Sequence, residues 1–244
     1  MTVEQTTPNT ASESEHPKFY YPSQEMVENS NVMAYAREKG FSSFEELYNW
    51  TISNSEEFWA EMADRYLNWY QKWDKVLDDS NAPFYKWFTG AKTNAYYNAV
   101  ERHLEGPNRD KVAIIWESEQ GETKTYTYAQ VDAEVNRFAN ALKSEGVQKG
   151  DRVTIYLSRV PELVFAMLAV VKIGAMHSVV YGGFSTDALH SRIEDAQSKV
   201  LITGDGGWMN NKIVELKKIT DEAVDRASDI VKRVIVLKHT GHDI

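Results

Sequence analysis

Two glycine-rich stretches are the first places in this 244-residue sequence where chemistry could sit: Tyr181-Gly182-Gly183-Phe184 and Thr203-Gly204-Asp205-Gly206-Gly207. Glycine lets backbone N–H groups come close to a phosphate, and a helix N-terminus that follows adds a favourable dipole. Neither stretch matches G-x-G-x-x-G or the G-x-x-x-x-G-K-[ST] phosphate loop, so each by itself fits a tight turn better than a phosphate cradle. Lys212, Lys217 and Lys218 follow the second stretch and could form a small anion site, although lysines on a surface helix usually form a solvated face. Asp205 is a candidate carboxylate, but Asp after a strand also commonly caps a turn. The six histidines offer no H-E-x-x-H or comparable ligand pair, and no G-x-S-x-G nucleophile elbow is present. Cysteine is absent, which excludes disulfides, thiolate zinc sites and a cysteine nucleophile. On residue chemistry alone the chain reads as a nucleotide-type binding module.

The elements that must position these loops alternate. Val112–Trp116 and Thr123–Tyr128 are short β-rich runs joined through Gly121, as in a hairpin. Ala129–Glu145 carries Val131, Val135, Phe138 and Leu142 on one helical face, and Gly146 supplies the stop. Strands are expected at 152–157, 176–181, 199–203 and 232–238. Helices are expected from Pro161 to about Gly174, over 185–197, and over 213–226. Pro161 suits the first turn of its helix because its φ is fixed and it lacks an N–H. Strands this apolar, alternating with helices, call for a mostly parallel sheet with helices on both faces, an α/β fold. In such sheets ligands gather beyond the carboxyl ends of the strands, where both glycine-rich loops fall.

The first hundred residues are built differently, with five of the seven Trp. Phe44, Leu47 and Tyr48, then Phe58, Met62, Tyr66 and Tyr70, recur at helical spacing. Ser42-Ser43-Phe44-Glu45-Glu46 has the form of a capped helix start. Large rings at this spacing usually fill cores, so the stretch is expected to be a packing extension. We divide the chain into a disordered tail over 1–20, a helical aromatic-rich extension over 21–106, and an α/β subdomain over 107–244. A net charge of −9 argues against a nucleic-acid partner. The N-terminus has no signal-peptide pattern, and the longest apolar run, Leu163–Val171, is shorter than the roughly 20 residues that span a bilayer. A soluble, cytoplasmic protein is expected.

Particular residues carry a likeness. Trp87-Phe88-Thr89-Gly90, Asn94, Tyr97, Asn98 and Glu101-Arg102-His103-Leu104 form its first part. Val135–Leu142 and Gly146–Val153 continue it. It is densest at Pro161-Glu162-Leu163, Ala166–Ala169, Ile173-Gly174-Ala175, His177–Val180 and Gly183-Phe184-Ser185. Together with the Phe58-Trp59 element, these stretches resemble the AMP-forming acetyl-CoA synthetases, adenylate-forming ligases of the acetyl/propionyl branch. The likeness covers nearly the whole chain after residue 20.

What the resemblance implies is a two-step reaction, with no catalytic residue of it in this chain. A carboxylate attacks the α-phosphate of ATP to give an acyl-adenylate and pyrophosphate, and the CoA thiol then attacks the acyl carbon. It implies acetate as substrate, with propionate as the alternative. It also places the ATP loop, the magnesium and acyl sites and the catalytic lysine downstream. The chain is therefore expected to be an N-terminal fragment, inactive alone, whose partner is the missing C-terminal catalytic half. Such a fragment should expose apolar surface and self-associate. A stand-alone CoA- or nucleotide-binding or regulatory module is the alternative. The family site that falls here is for the nucleotide part of CoA, at positions matching Tyr181, Gly182 and Gly183 and at Met209, Asn210, Asn211 and Lys212. The sequence departs from the family's pattern there, with Met209 in place of an arginine and Asn210-Asn211 in place of a small residue and glycine. Lys212 keeps a charge, as a point ammonium and not a forked guanidinium.

Overall fold

A computed structural model describes residues 21–244, so the tail expected over 1–20 lies outside the described residues. Two compact units divide between Tyr66 and Leu67, well before the change of character at residue 106.

The first unit is helical: α1 (Gln24–Glu28), α2 (Asn31–Glu38), α3 (Phe44–Ser53) and α4 (Ser55–Tyr66). Ser43 caps α3 by accepting from the Glu46 N–H, as the sequence pattern predicts. Trp50 meets Phe41 at 5.8 Å and Phe58 edge-on at 6.3 Å, with the Lys39 ammonium 4.5 Å from its ring. The aromatic stripe is only half spent on packing. Phe44, Tyr48 and Ile52 on α3 and Trp59 on α4 remain exposed.

The second unit begins with strands where helix was expected: β1 (Lys75–Asp78) pairs antiparallel with β2 (Lys86–Thr89). A short helix α5 (Ala95–Ala99) follows, then the hairpin of β3 (Val112–Glu117) and β4 (Thr123–Thr127). Thereafter come α6 (Tyr128–Ser144), β5 (Arg152–Leu157), α7 (Pro161–Lys172), β6 (Met176–Tyr181), α8 (Thr186–Ala196) and β7 (Val200–Gly204). A further hairpin, β8 (Gly207–Met209) and β9 (Lys212–Val214), takes the first two residues of the helix expected over 213–226, which begins instead as α9 (Leu216–Arg226). The last strand is β10 (Arg233–Leu237).

Strands β10, β7, β5 and β6 lie in that order and all run parallel. The two central strands, β5 and β7, alternate between two cores, and the edge strand β6 adds Val180 to one of them. Val153, Ile155, Leu157, Val200 and Ile202 pack with α6 and α7, while Tyr156, Leu201 and Val180 pack with α8 and α9. Helices therefore cover both faces, as the apolar strand sequences require. The chain steps from β5 out to β6 and then returns across β5 to β7, so the order reverses between β5 and β7. The carboxyl ends Leu157 and Tyr181 stand opposite each other, as do Gly204 and Leu237. All the loops beyond them share one edge of the sheet.

Asn94 fastens the segment before this sheet. Its carboxamide oxygen accepts from the Tyr96 and Tyr97 N–H groups, capping α5, while its amide donates to the carbonyls of Val171 (3.0 Å) and Lys172 (3.3 Å) at the end of α7. One side chain thus satisfies orphan groups at two helix ends. Asn94→Ala should destabilise the second unit by about 1–3 kcal/mol, read as a lower urea midpoint at unchanged slope.

Candidate functional site

A cavity of about 640 Å³ opens at the carboxyl edge of the sheet, beside the reversal between β5 and β7. This is where open α/β sheets bind ligands. Four segments supply most of its lining. The end of β3 and the loop after it supply Trp116 to Gln120, the end of β5 and its loop Leu157 to Val160, the end of β6 Val179 to Gly182, and β8 with its turn Gly207 to Asn210; Leu163, Val214, Leu216 and His239 complete it.

The β6 loop is held from below. The Tyr156 hydroxyl, fully buried on β5, donates toward the carbonyls of Phe184 (2.8 Å) and Gly182 (3.3 Å). Burial pushes this phenol up to about 12, so it stays a donor at any physiological pH. Glycine is required above it. A Cβ at Gly182 would stand 2.8 Å from the Leu157 carbonyl oxygen, and one at Gly183 would stand 2.6 Å from the Tyr181 ring and 3.0 Å from the Met209 methyl. Tyr181 stays half exposed, its ring edge-on to Phe184 at 5.7 Å.

The β8–β9 hairpin accounts for Asn210-Asn211. Met209 pairs with Lys212, leaving a two-residue turn in which both asparagines have left-handed φ values, 52° and 59°. That is the demand of a type I′ turn, which Asn tolerates and most residues do not. The Asn211 N–H donates to Glu119 at 3.1 Å, tying this hairpin to the β3–β4 loop.

Of the residues picked out by sequence, Tyr181, Gly182, Met209 and Asn210 line the cavity, with Gly183 packed between Tyr181 and Met209. Asn211 and Lys212 do not line it; Lys212 is exposed on β9. Lys217 and Lys218 are spent on Asp221 and Glu215. Asp205 is a turn carboxylate. Only 2% exposed, it accepts from the N–H groups of Gly206, His239, Thr240 and Gly241 at 2.6–2.9 Å. Burial works to raise its pKa, but the four backbone donors outweigh burial and hold it well below the ordinary carboxylate range. Among the described residues no group of three or more His, Asp or Glu side chains is placed to hold a metal ion.

Comparison with known proteins identifies the family. A family model described as "AMP-binding enzyme" matches residues 100–243, and one described as "Acetyl-coenzyme A synthetase N-terminus" matches residues 44–99. The chain belongs to the AMP-binding enzyme family. An acetyl-coenzyme A synthetase of Methanothrix thermoacetophila is 44% identical over 98% of this chain and 36% of its own length. Another, of Streptomyces coelicolor, is 47% identical over 92% of this chain and 33% of its own. A 3-hydroxypropionyl-coenzyme A synthetase of Sulfurisphaera tokodaii is 48% identical over 81% of this chain and 30% of its own. This AMP-binding chain therefore spans about a third of the length of the curated relatives it matches. Its fold is shared with an acetoacetyl-CoA synthetase from Streptomyces lividans, at a TM-score of 0.83 and 24% identity over 91% of this chain and 35% of that one.

Sequence reasoning did not mark three of the larger residues of the cavity, Trp116, Arg159 and Trp208. Trp116 and Trp208 carry no motif, and Arg159 is marked only by its place between a strand end and the proline of the next helix. The Trp116 indole N–H donates to the Arg159 carbonyl at 2.8 Å, which fixes that loop. No helix among the described residues is long and apolar enough to cross a membrane.

Two outcomes test the edge. Tyr156→Phe strands two loop carbonyls and should cost about 1–2 kcal/mol, with faster amide exchange confined to 182–185. Asp205→Asn should destabilise at neutral pH by at least about 1 kcal/mol. Because the folded pKa is depressed, the wild type's advantage is complete above about pH 4 and is lost as pH falls toward the depressed value. Urea unfolding at pH 7 and pH 3 should show the gap between the two proteins closing at the lower pH.

Proposed function

We infer that this chain is the N-terminal part of an AMP-forming acetyl-CoA synthetase and holds the nucleotide end of coenzyme A. The observation that carries the reading is the adjacency of two matches in one chain: the acetyl-coenzyme A synthetase N-terminal model, followed directly by the AMP-binding model. In this reading the whole enzyme activates acetate with ATP to acetyl-adenylate and pyrophosphate, then transfers the acetyl group to the CoA thiol. Acetate is favoured by the names and coverage of the first relatives. Tyr181, Gly182, Gly183, Met209, Asn210, Asn211 and Lys212 form the floor and rim of the proposed coenzyme A site. We assign residues 21–106 to the extension and 107–244 to the AMP-binding region.

The resemblance to the AMP-forming acetyl-CoA synthetases assigns ATP and magnesium to the rest of the enzyme. The chain's own contribution is physical. A cavity at the strand ends excludes water from a bound nucleotide, and its loops are fixed from beneath by Tyr156 and Asp205. Positioning of this kind lowers a barrier by holding reactants in place. The catalytic half is the proposed partner and the cytoplasm the proposed location; self-association through surface that the catalytic half would cover, and no nucleic-acid partner, complete the reading.

The 244-residue chain should bind coenzyme A by calorimetry, and Lys212→Ala should weaken that binding a few-fold, as loss of an exposed cation does. It should release no pyrophosphate from ATP and acetate. Measurable turnover would show that the chain is not merely a part, and absence of coenzyme A binding at millimolar ligand would remove the site.

A further inference from the structure

We propose that the Arg159 guanidinium is the anion contact of the cavity and receives a phosphate of coenzyme A. The proposal rests on the coenzyme A reading above and adds to it a residue that neither motif nor spacing identifies.

Four observations converge on Arg159. Among the cavity's lining residues it is the one Lys or Arg, set among apolar Leu157, Val160, Met209 and two tryptophans. Its guanidinium makes no hydrogen bond or ion pair among the described residues, so five donors remain unspent. Of the other cations nearby, Lys124 pairs with Glu122, Arg192 donates to the Ala188 carbonyl, and Lys212 stands on β9 outside the cavity lining. The loop that carries Arg159 is rigid, clamped by Trp116 on its carbonyl and by Pro161 in the first turn of α7.

Its place is specific. The guanidinium lies 6.0 Å from the centre of the Tyr181 ring. A guanidinium over a ring face still has its N–H donors to offer a ligand, and its planar fork matches phosphate oxygens two at a time. An adenine could not stack on that face of Tyr181 while Arg159 holds it. The cation is therefore what the ligand meets there, and the ligand's phosphate is the group that answers it. Glu117 and Glu119 on the β3–β4 loop line the cavity too. They repel an anion from that side and leave the β5 loop as its landing point.

Calorimetry on the 244-residue chain tests this with coenzyme A, dephospho-coenzyme A and ATP. Arg159→Met should lower coenzyme A affinity at least about ten-fold and flatten its salt dependence, and Arg159→Lys should recover part of the loss. Thermal unfolding of both variants should stay close to the wild type, because the guanidinium makes no hydrogen bond or ion pair among the described residues and only a distant ring contact. An effect that disappears with dephospho-coenzyme A assigns the 3′-phosphate, and one that persists assigns the diphosphate; either supports the proposal. Unchanged coenzyme A affinity in Arg159→Met overturns it while leaving the coenzyme A reading in place. A loss confined to ATP also overturns it. A wild-type chain that binds no coenzyme A removes both.

Discussion

Parallel strands buried on both faces leave a protein only one place to do polar chemistry, and that constraint governs this molecule. Strands β5 and β7 give one set of side chains to the α6–α7 core and the next to the α8–α9 core, so neither face of these two central strands is free for a ligand. Polar groups within the layers are satisfied pairwise: Thr154 donates to Ser198, and Thr220 to Thr203. What remains is the carboxyl edge, where chain reversal parts the connections of β5 and β7 and opens a crevice.

That edge would be loose without two buried polar anchors. Tyr156 reaches up from β5 to the β6 loop, and Asp205 gathers four backbone N–H groups from its own turn and from the segment after β10. Both groups sit in the interior because they are fully used, which is the condition under which burial of a polar group is tolerated. The loops of the cavity are thus fixed before any ligand arrives, and binding need not spend energy ordering them.

Much of this could be read from sequence because the strands are so apolar. Arg152–Leu157 and Met176–Tyr181 are predicted to the residue, and α7 is marked by its proline. Regions where tertiary pairing overrides local pattern were not legible. Ile213 and Val214 read as the start of a helix, yet the left-handed Asn210-Asn211 turn pairs Lys212–Val214 back onto Gly207–Met209. The signal was present in two consecutive asparagines between apolar residues, a hairpin turn more than a helix entry. Likewise the aromatic run over 67–89 hides β1 and β2. The site itself was half legible. Tyr181, Gly182 and Gly183 follow a strand and announce a loop. Arg159 and Trp116 meet only in space, their sequence separation giving no hint of a shared cavity.

The hairpin turn also decides the electrostatics of the cavity. A type I′ turn demands two left-handed residues, and here Asn fills both positions, with Met209 and Lys212 as the paired flanks. Directly paired flanks share one face of a hairpin, so Met209 brings a flexible apolar surface to the wall while Lys212 stands beside it in solvent. The Asn211 N–H is spent on Glu119, which keeps that carboxylate at the wall. One side of the cavity is consequently apolar and acidic. The one Lys or Arg among the cavity's lining residues stands on the opposite side, where β5 ends, so a ligand with an anionic end is favoured with that end toward Arg159.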